Sequence, residues 1–118
     1  MGAKLNLMDF NVFRVLENYR MPQAARIHKM LMFFGPSSQK DKAVEEFAEL
    51  IQAVMKHKHG DQGSEDQVKE EIVDAGILLD QLRLMYNLTD AEERAIRERK
   101  INKVESLYYT GLRERSTK

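Results

Sequence analysis

The chain has 118 residues, enough for one domain with a core of its own. It contains no cysteine, which excludes a disulfide scaffold, a thiolate zinc site and a cysteine nucleophile. Nineteen Lys+Arg balance nineteen Asp+Glu, so no excess positive charge supports binding to nucleic acid or to an anionic membrane.

Helix formers dominate, Pro occurs only at Pro22 and Pro36, and no alternating run of strand length is bounded by turn signals. A first helix is expected over residues 7–20. Met21-Pro22 interrupts it, because a residue before Pro avoids the α region. A second helix starts near Pro22 and stops at Gly35-Pro36. Its Met30–Phe34 run is apolar around more than one face, and most of that run is expected in the core. A third helix starts after Ser37-Ser38 and ends at Gly60, a good residue just past a helix end. Its last turn carries Lys56, His57, Lys58 and His59, as the helix dipole prefers. Ser64 with Gln67 caps a fourth helix that runs to about Tyr86, and Thr89 with Glu92 opens a fifth over residues 90–110. Residues 113–118 are expected to fray.

The expected architecture is therefore all-α. It is one domain over residues 1–118, a bundle of about five helices. It comprises N-terminal helices (7–34), a central antiparallel hairpin (38–86) and a C-terminal helix (90–110). No run approaches the roughly 18 apolar residues of a membrane span. Met1–Leu5 lacks the apolar segment of a secretory signal, so the expected location is cytoplasmic.

Two pairs of acids sit where solvated acids would not. Glu46 with Glu49, and Glu71 with Asp74, are each three apart and share a helix face. At about 100° per residue, with Glu71 at zero, Leu78 falls near 340°, Leu82 near 20°, Met85 near 320° and Asp74 near 300°. Glu71 and Asp74 thus continue an apolar stripe. On the third helix, with Glu46 at zero, Ala43, Phe47, Leu50, Ile51 and Val54 cover roughly 40–140°. Glu46 and Glu49 border that arc. At about 1.5 Å per residue, Glu49 lies roughly 16 Å from Gly60 and Asp74 roughly 15 Å from Ser64. In an antiparallel hairpin the four acids come level to within about a turn.

Taken alone, Glu46 and Glu49 are an ordinary exposed pair. The stripe around Glu71 and Asp74, and the matching heights, set the two pairs apart. Four unpaired carboxylates on a semi-buried face are costly, and no Lys or Arg lies on the Glu71 stripe before Met85. A hard divalent cation, Mg²⁺ or Mn²⁺, is the expected solution.

The string Glu45-Glu46-x-x-Glu49-Leu50, then a 21-residue spacer and Glu70-Glu71-Ile72-x-Asp74, resembles the MazG-like all-α nucleoside triphosphate pyrophosphohydrolases. The resemblance covers roughly residues 40–86. It implies Mg²⁺-dependent hydrolysis of a nucleoside triphosphate between the α and β phosphates, in nucleotide-pool control. It implies metal binding by Glu46, Glu49, Glu71 and Asp74, with Glu45 as a further candidate for general base. It also implies phosphate contacts from the last helix, for which Arg99, Lys100, Asn102 and Lys103 are the candidates, with Lys56 a further one. The family's usual assembly implies a homodimer or homotetramer. A base-specific hydrolase of the same superfamily, or a non-catalytic helical interaction module, are the alternatives.

Other signals fail on geometry. His57 and His59 point about 200° apart on a helix and cannot chelate together. No Glu stands three residues before any His, as a di-iron bundle requires, and there is no phosphate-binding Gly-rich motif.

Overall fold

A computed structural model describes residues 16–60 and 64–116. Four helices are present among the described residues: α1 (Ala24–Phe34), α2 (Pro36–Lys58), α3 (Ser64–Met85) and α4 (Asp90–Ser116). No described residue is in a strand, so the fold is all-α. Residues 7–15 of the expected first helix lie outside the described residues. Leu16 is helical, but residues 17–21 form turn and coil, so the break falls before Met21-Pro22. The Tyr19 N–H donates to the Leu16 carbonyl at 2.9 Å, closing a turn there. The Tyr19 ring is buried and its hydroxyl donates to Asn87 Oδ1 at 2.7 Å. α1 begins two residues beyond Pro22, because Gln23 sits in the left-handed region at φ 61°.

Gly35 is a one-residue joint between α1 and α2. Its φ of 89° and ψ of 151° belong to a region that only glycine occupies at low cost. Its N–H donates to the Leu31 carbonyl, ending α1, and its carbonyl accepts from the Gln39 N–H, opening α2. Pro36 therefore stands inside the first turn of α2 rather than ahead of it, and the helix starts at 36 instead of 38. At the far end Gly60 takes φ 83°, as expected of a helix stop.

α2 and α3 make the most extensive helix–helix contact among the described residues, and α1 packs on both. The Lys40 ammonium lies 5.0 Å above the Tyr86 ring, which sets the start of α2 beside the end of α3. Both flanks of α1 are tied to that same end, through Gly35 on one side and the Tyr19–Asn87 bond on the other. α1 spans only about 16 Å, against about 34 Å for α2, so it covers one end of the hairpin. The buried apolar set is Leu16, Tyr19, Ile27, Leu31, Ala43, Ala53, Ala75 and Leu78. Of the apolar run at the end of α1 only Leu31 is buried; Met30, Met32, Phe33 and Phe34 are exposed, contrary to expectation.

The chain divides into two compact units, Met1–Asn87 and Leu88–Lys118. In the second, the Thr89 hydroxyl accepts from the Glu92 N–H at 3.3 Å, which bears out the expected cap of α4. α4 continues through Gly111 to Ser116; an interior glycine costs about 1 kcal/mol but does not end a helix by itself. No described helix is long and apolar enough to cross a membrane.

Candidate metal centre

The buried residues of α2 are Gln39, Ala43, Glu46 and Ala53. On the wheel these cluster around Glu46, between about 340° and 60°. Phe47 and Leu50 are only half-buried, while Ile51 and Val54 are exposed. α2 is thus rotated from the expected orientation. Glu46 stands in the middle of the buried face, not on its border, and the apolar arc turns outward. Small side chains account for this. Ala43, Ala53 and Ala75 are each only 2% exposed, and alanine at a helix contact lets the axes approach closely.

Into that close contact the hairpin brings Glu46, Glu49 and Glu71, each with a carboxylate oxygen within 4.8 Å of the others. Glu46 is buried, Glu71 is half-buried and Glu49 faces solvent. Three buried side-chain oxygens among the described residues accept no hydrogen bond: Glu46 Oε2 and Glu71 Oε2 in the cluster, and Gln81 Oε1 outside it. A buried carboxylate oxygen without a donor is costly to leave unpaired. Charge within the cluster is visible in Glu49, whose carboxyl is held above its ordinary range. The charge of Glu46 is the main cause, followed by desolvation, a hydrogen bond with Glu46 and the charges of Glu71 and Glu45.

One cation does reach the cluster, and the sequence reading missed it. Lys42 Nζ lies 3.1 Å from Glu46 Oε1 and 3.5 Å from Glu45 Oε1. The bond to Glu46, then the charges of Glu45 and Glu46, hold the Lys42 ammonium above its ordinary value. The signal was the four-residue spacing from Lys42 to Glu46, an i,i+4 pair on α2 itself rather than on the Glu71 stripe. One ammonium against three carboxylates leaves the site with an excess of negative charge.

Asp74 is exposed and is not among the three acids that converge. It lines an open groove of about 350 Å³ with Lys69, Glu70 and Val73. Its wheel position matched the buried stripe, but a wheel does not show what stands opposite. Gln81, near the same angle, is buried at the end of the hairpin that α1 covers, whereas Asp74 lies about two turns away from it. Glu45 is exposed and turned to Lys42. Lys56 is exposed in the last turn of α2, roughly 15 Å along the helix from Glu46. Arg99, Lys100, Asn102 and Lys103 are exposed on α4 in the second unit.

Comparison of the chain with protein-family models, curated proteins and solved structures finds no match.

Proposed function

We propose that this chain is a Mg²⁺-dependent nucleoside triphosphate pyrophosphohydrolase, cleaving the α–β phosphate bond to give a monophosphate and pyrophosphate. The observation that carries the reading is the focus of Glu46, Glu49 and Glu71, with a donorless buried oxygen on each of Glu46 and Glu71. An all-oxygen donor set suits a hard cation, and two orphan oxygens are what such an ion would satisfy. The resemblance of the Glu45–Glu49 and Glu70–Asp74 strings to the MazG-like enzymes supports the choice of reaction. Mn²⁺ is a chemically reasonable substitute.

In this reading Glu46, Glu49 and Glu71 would hold the ion, while Asp74, the fourth acid the resemblance implies, lies outside their focus. A bound Mg²⁺ supplies charge neutralisation for the triphosphate oxygens and acidifies a water. With Glu45 engaged with Lys42, the candidate to take a proton from an attacking water is an acid of the cluster itself, of which Glu49 is the most open to solvent. Lys42 holds Glu46 in place before the ion arrives. Exposed Val44, Ile51, Val54, Ile72, Val73 and Leu79 on α2 and α3 support assembly into a homodimer or homotetramer, since apolar residues left outward on packed helices call for a partner surface.

Pyrophosphate release across a panel of nucleoside triphosphates, with and without Mg²⁺, tests the reaction. Glu71→Gln is expected to lower turnover by at least about 100-fold, since even outer-shell partners of metal sites cost about 10–100-fold when changed. Full turnover in Glu71→Gln would remove the site assignment.

The Lys42–Glu46 ion pair favours a second reading, in which the acids are a structural network of a helical interaction module. That reading expects no stabilisation by Mg²⁺ and no pyrophosphate release.

A further inference from the structure

The two carboxylate oxygens of Glu46 stand in different environments. Its Oε1 lies 3.1 Å from Lys42 Nζ, while its Oε2 is buried and accepts no hydrogen bond. Lys42 and Glu46 are one turn apart on α2, so the helix itself sets this pair. Lys42 is held from a second side as well, 3.5 Å from Glu45 Oε1. The residue Glu46 is only 8% exposed. A carboxylate so divided offers the cluster one oxygen rather than two.

That division bears on which cation the acids can hold. Ca²⁺ takes about 6–8 oxygens at about 2.3–2.6 Å and accepts both oxygens of one carboxylate. Mg²⁺ takes an octahedron at about 2.0–2.1 Å, whose neighbouring positions stand about 3.0 Å apart, wider than the roughly 2.2 Å between the two oxygens of a carboxylate. Mg²⁺ therefore uses one oxygen from each acid and completes its shell with water. Ca²⁺ gains from the second oxygen of Glu46, which a charge-assisted bond to Lys42 already engages.

We infer that Lys42 is a specificity-determining residue of the cluster: by holding Glu46 Oε1 it confines Glu46 to one metal-binding oxygen and turns the site toward a small octahedral cation and away from Ca²⁺. The inference rests on the reading of Glu46, Glu49 and Glu71 as a metal centre. Lys42 acts through Glu46, so it is a positioning residue. Its charge also repels any cation nearby, but Mg²⁺ and Ca²⁺ carry the same charge and are weakened alike. The ratio of the two affinities therefore separates the geometric role from the electrostatic one.

Mg²⁺ and Ca²⁺ titrations of the full-length protein, read by calorimetry, test the role of Lys42. Lys42→Met removes the ammonium and keeps an unbranched stem; the Lys42 side chain is 46% exposed, so the change leaves the core intact. Both ions should bind Lys42→Met more tightly than the parent, and Ca²⁺ should gain at least about tenfold more than Mg²⁺. Glu45→Gln is the control, because it alters the charge by one unit and leaves Lys42 on Glu46. It should weaken both ions and move their ratio by less than about twofold. Equal gains for the two ions in Lys42→Met, or a ratio shifted as far by Glu45→Gln, would overturn the role of Lys42 and leave the metal centre standing. A parent chain that binds neither ion would overturn both.

Discussion

The two ends of the α2–α3 hairpin are built on opposite principles. Where α1 lies across it, the large residues Tyr19, Ile27, Leu31 and Leu78 fill the interior beside the buried but uncharged Gln39 and Gln81, and the Tyr19–Asn87 hydrogen bond fastens the edge. Further along, alanines replace the large residues and acids occupy the buried face. The first region is stable because it removes apolar surface from water. The second withholds that gain, turns Ile51 and Val54 outward and concentrates negative charge instead. An arrangement that forgoes apolar burial in favour of unsatisfied carboxylate oxygens is expected where a ligand supplies the missing interaction.

That contrast can be broken by substitution. Leu31→Ala removes packing at the apolar end and is expected to cost about 2–5 kcal/mol of stability, read by chemical denaturation, with little change in any Mg²⁺ response. Ala75→Leu acts at the acid end, where the account requires close helix approach. It should cost about 1–3 kcal/mol through overpacking and also weaken the Mg²⁺ response by spreading the acids. If Ala75→Leu stabilised the protein, the close-contact argument would be wrong. Tyr19→Phe deletes the bond to Asn87 while keeping the ring, and is expected to cost about 0.5–1.5 kcal/mol.

The smallest effect carries a distinctive sign. The folded state holds the Glu49 proton to higher pH than the unfolded chain does. Its contribution to stability is therefore greatest below the ordinary carboxylate range and is lost as pH rises through the raised value. Without divalent ions, Glu49→Gln should flatten that fall and leave the protein at neutral pH no less stable than the parent. Urea melts at several pH values measure it, and a clear loss of stability in Glu49→Gln would contradict the crowding of charge.

Local signals were legible where a single residue fixes the backbone. Gly35 and Gly60 end helices through φ values that other residues resist, and Thr89 caps α4 through its own hydroxyl. The pairing of Glu46 and Glu49 with Glu71 across a hairpin also followed from spacing and helix rise. What escaped depends on neighbours distant in sequence. The rotation of α2 is set by alanines on two helices together, so an arc of larger apolar residues pointed to the wrong face. The break after Leu16 comes where Tyr19 bonds to a partner 68 residues away. The exposure of Asp74 reflects how far α1 reaches, which no wheel contains.

Thermal unfolding across a Mg²⁺ titration, for the parent chain and for Glu49→Gln, tests the central claim most directly. A cation held by the three acids stabilises only the folded state, so the parent midpoint should climb steadily with Mg²⁺ concentration while that of Glu49→Gln stays nearly flat. An unchanged midpoint in the parent, or an equal rise in both proteins, would contradict a metal centre at Glu46, Glu49 and Glu71.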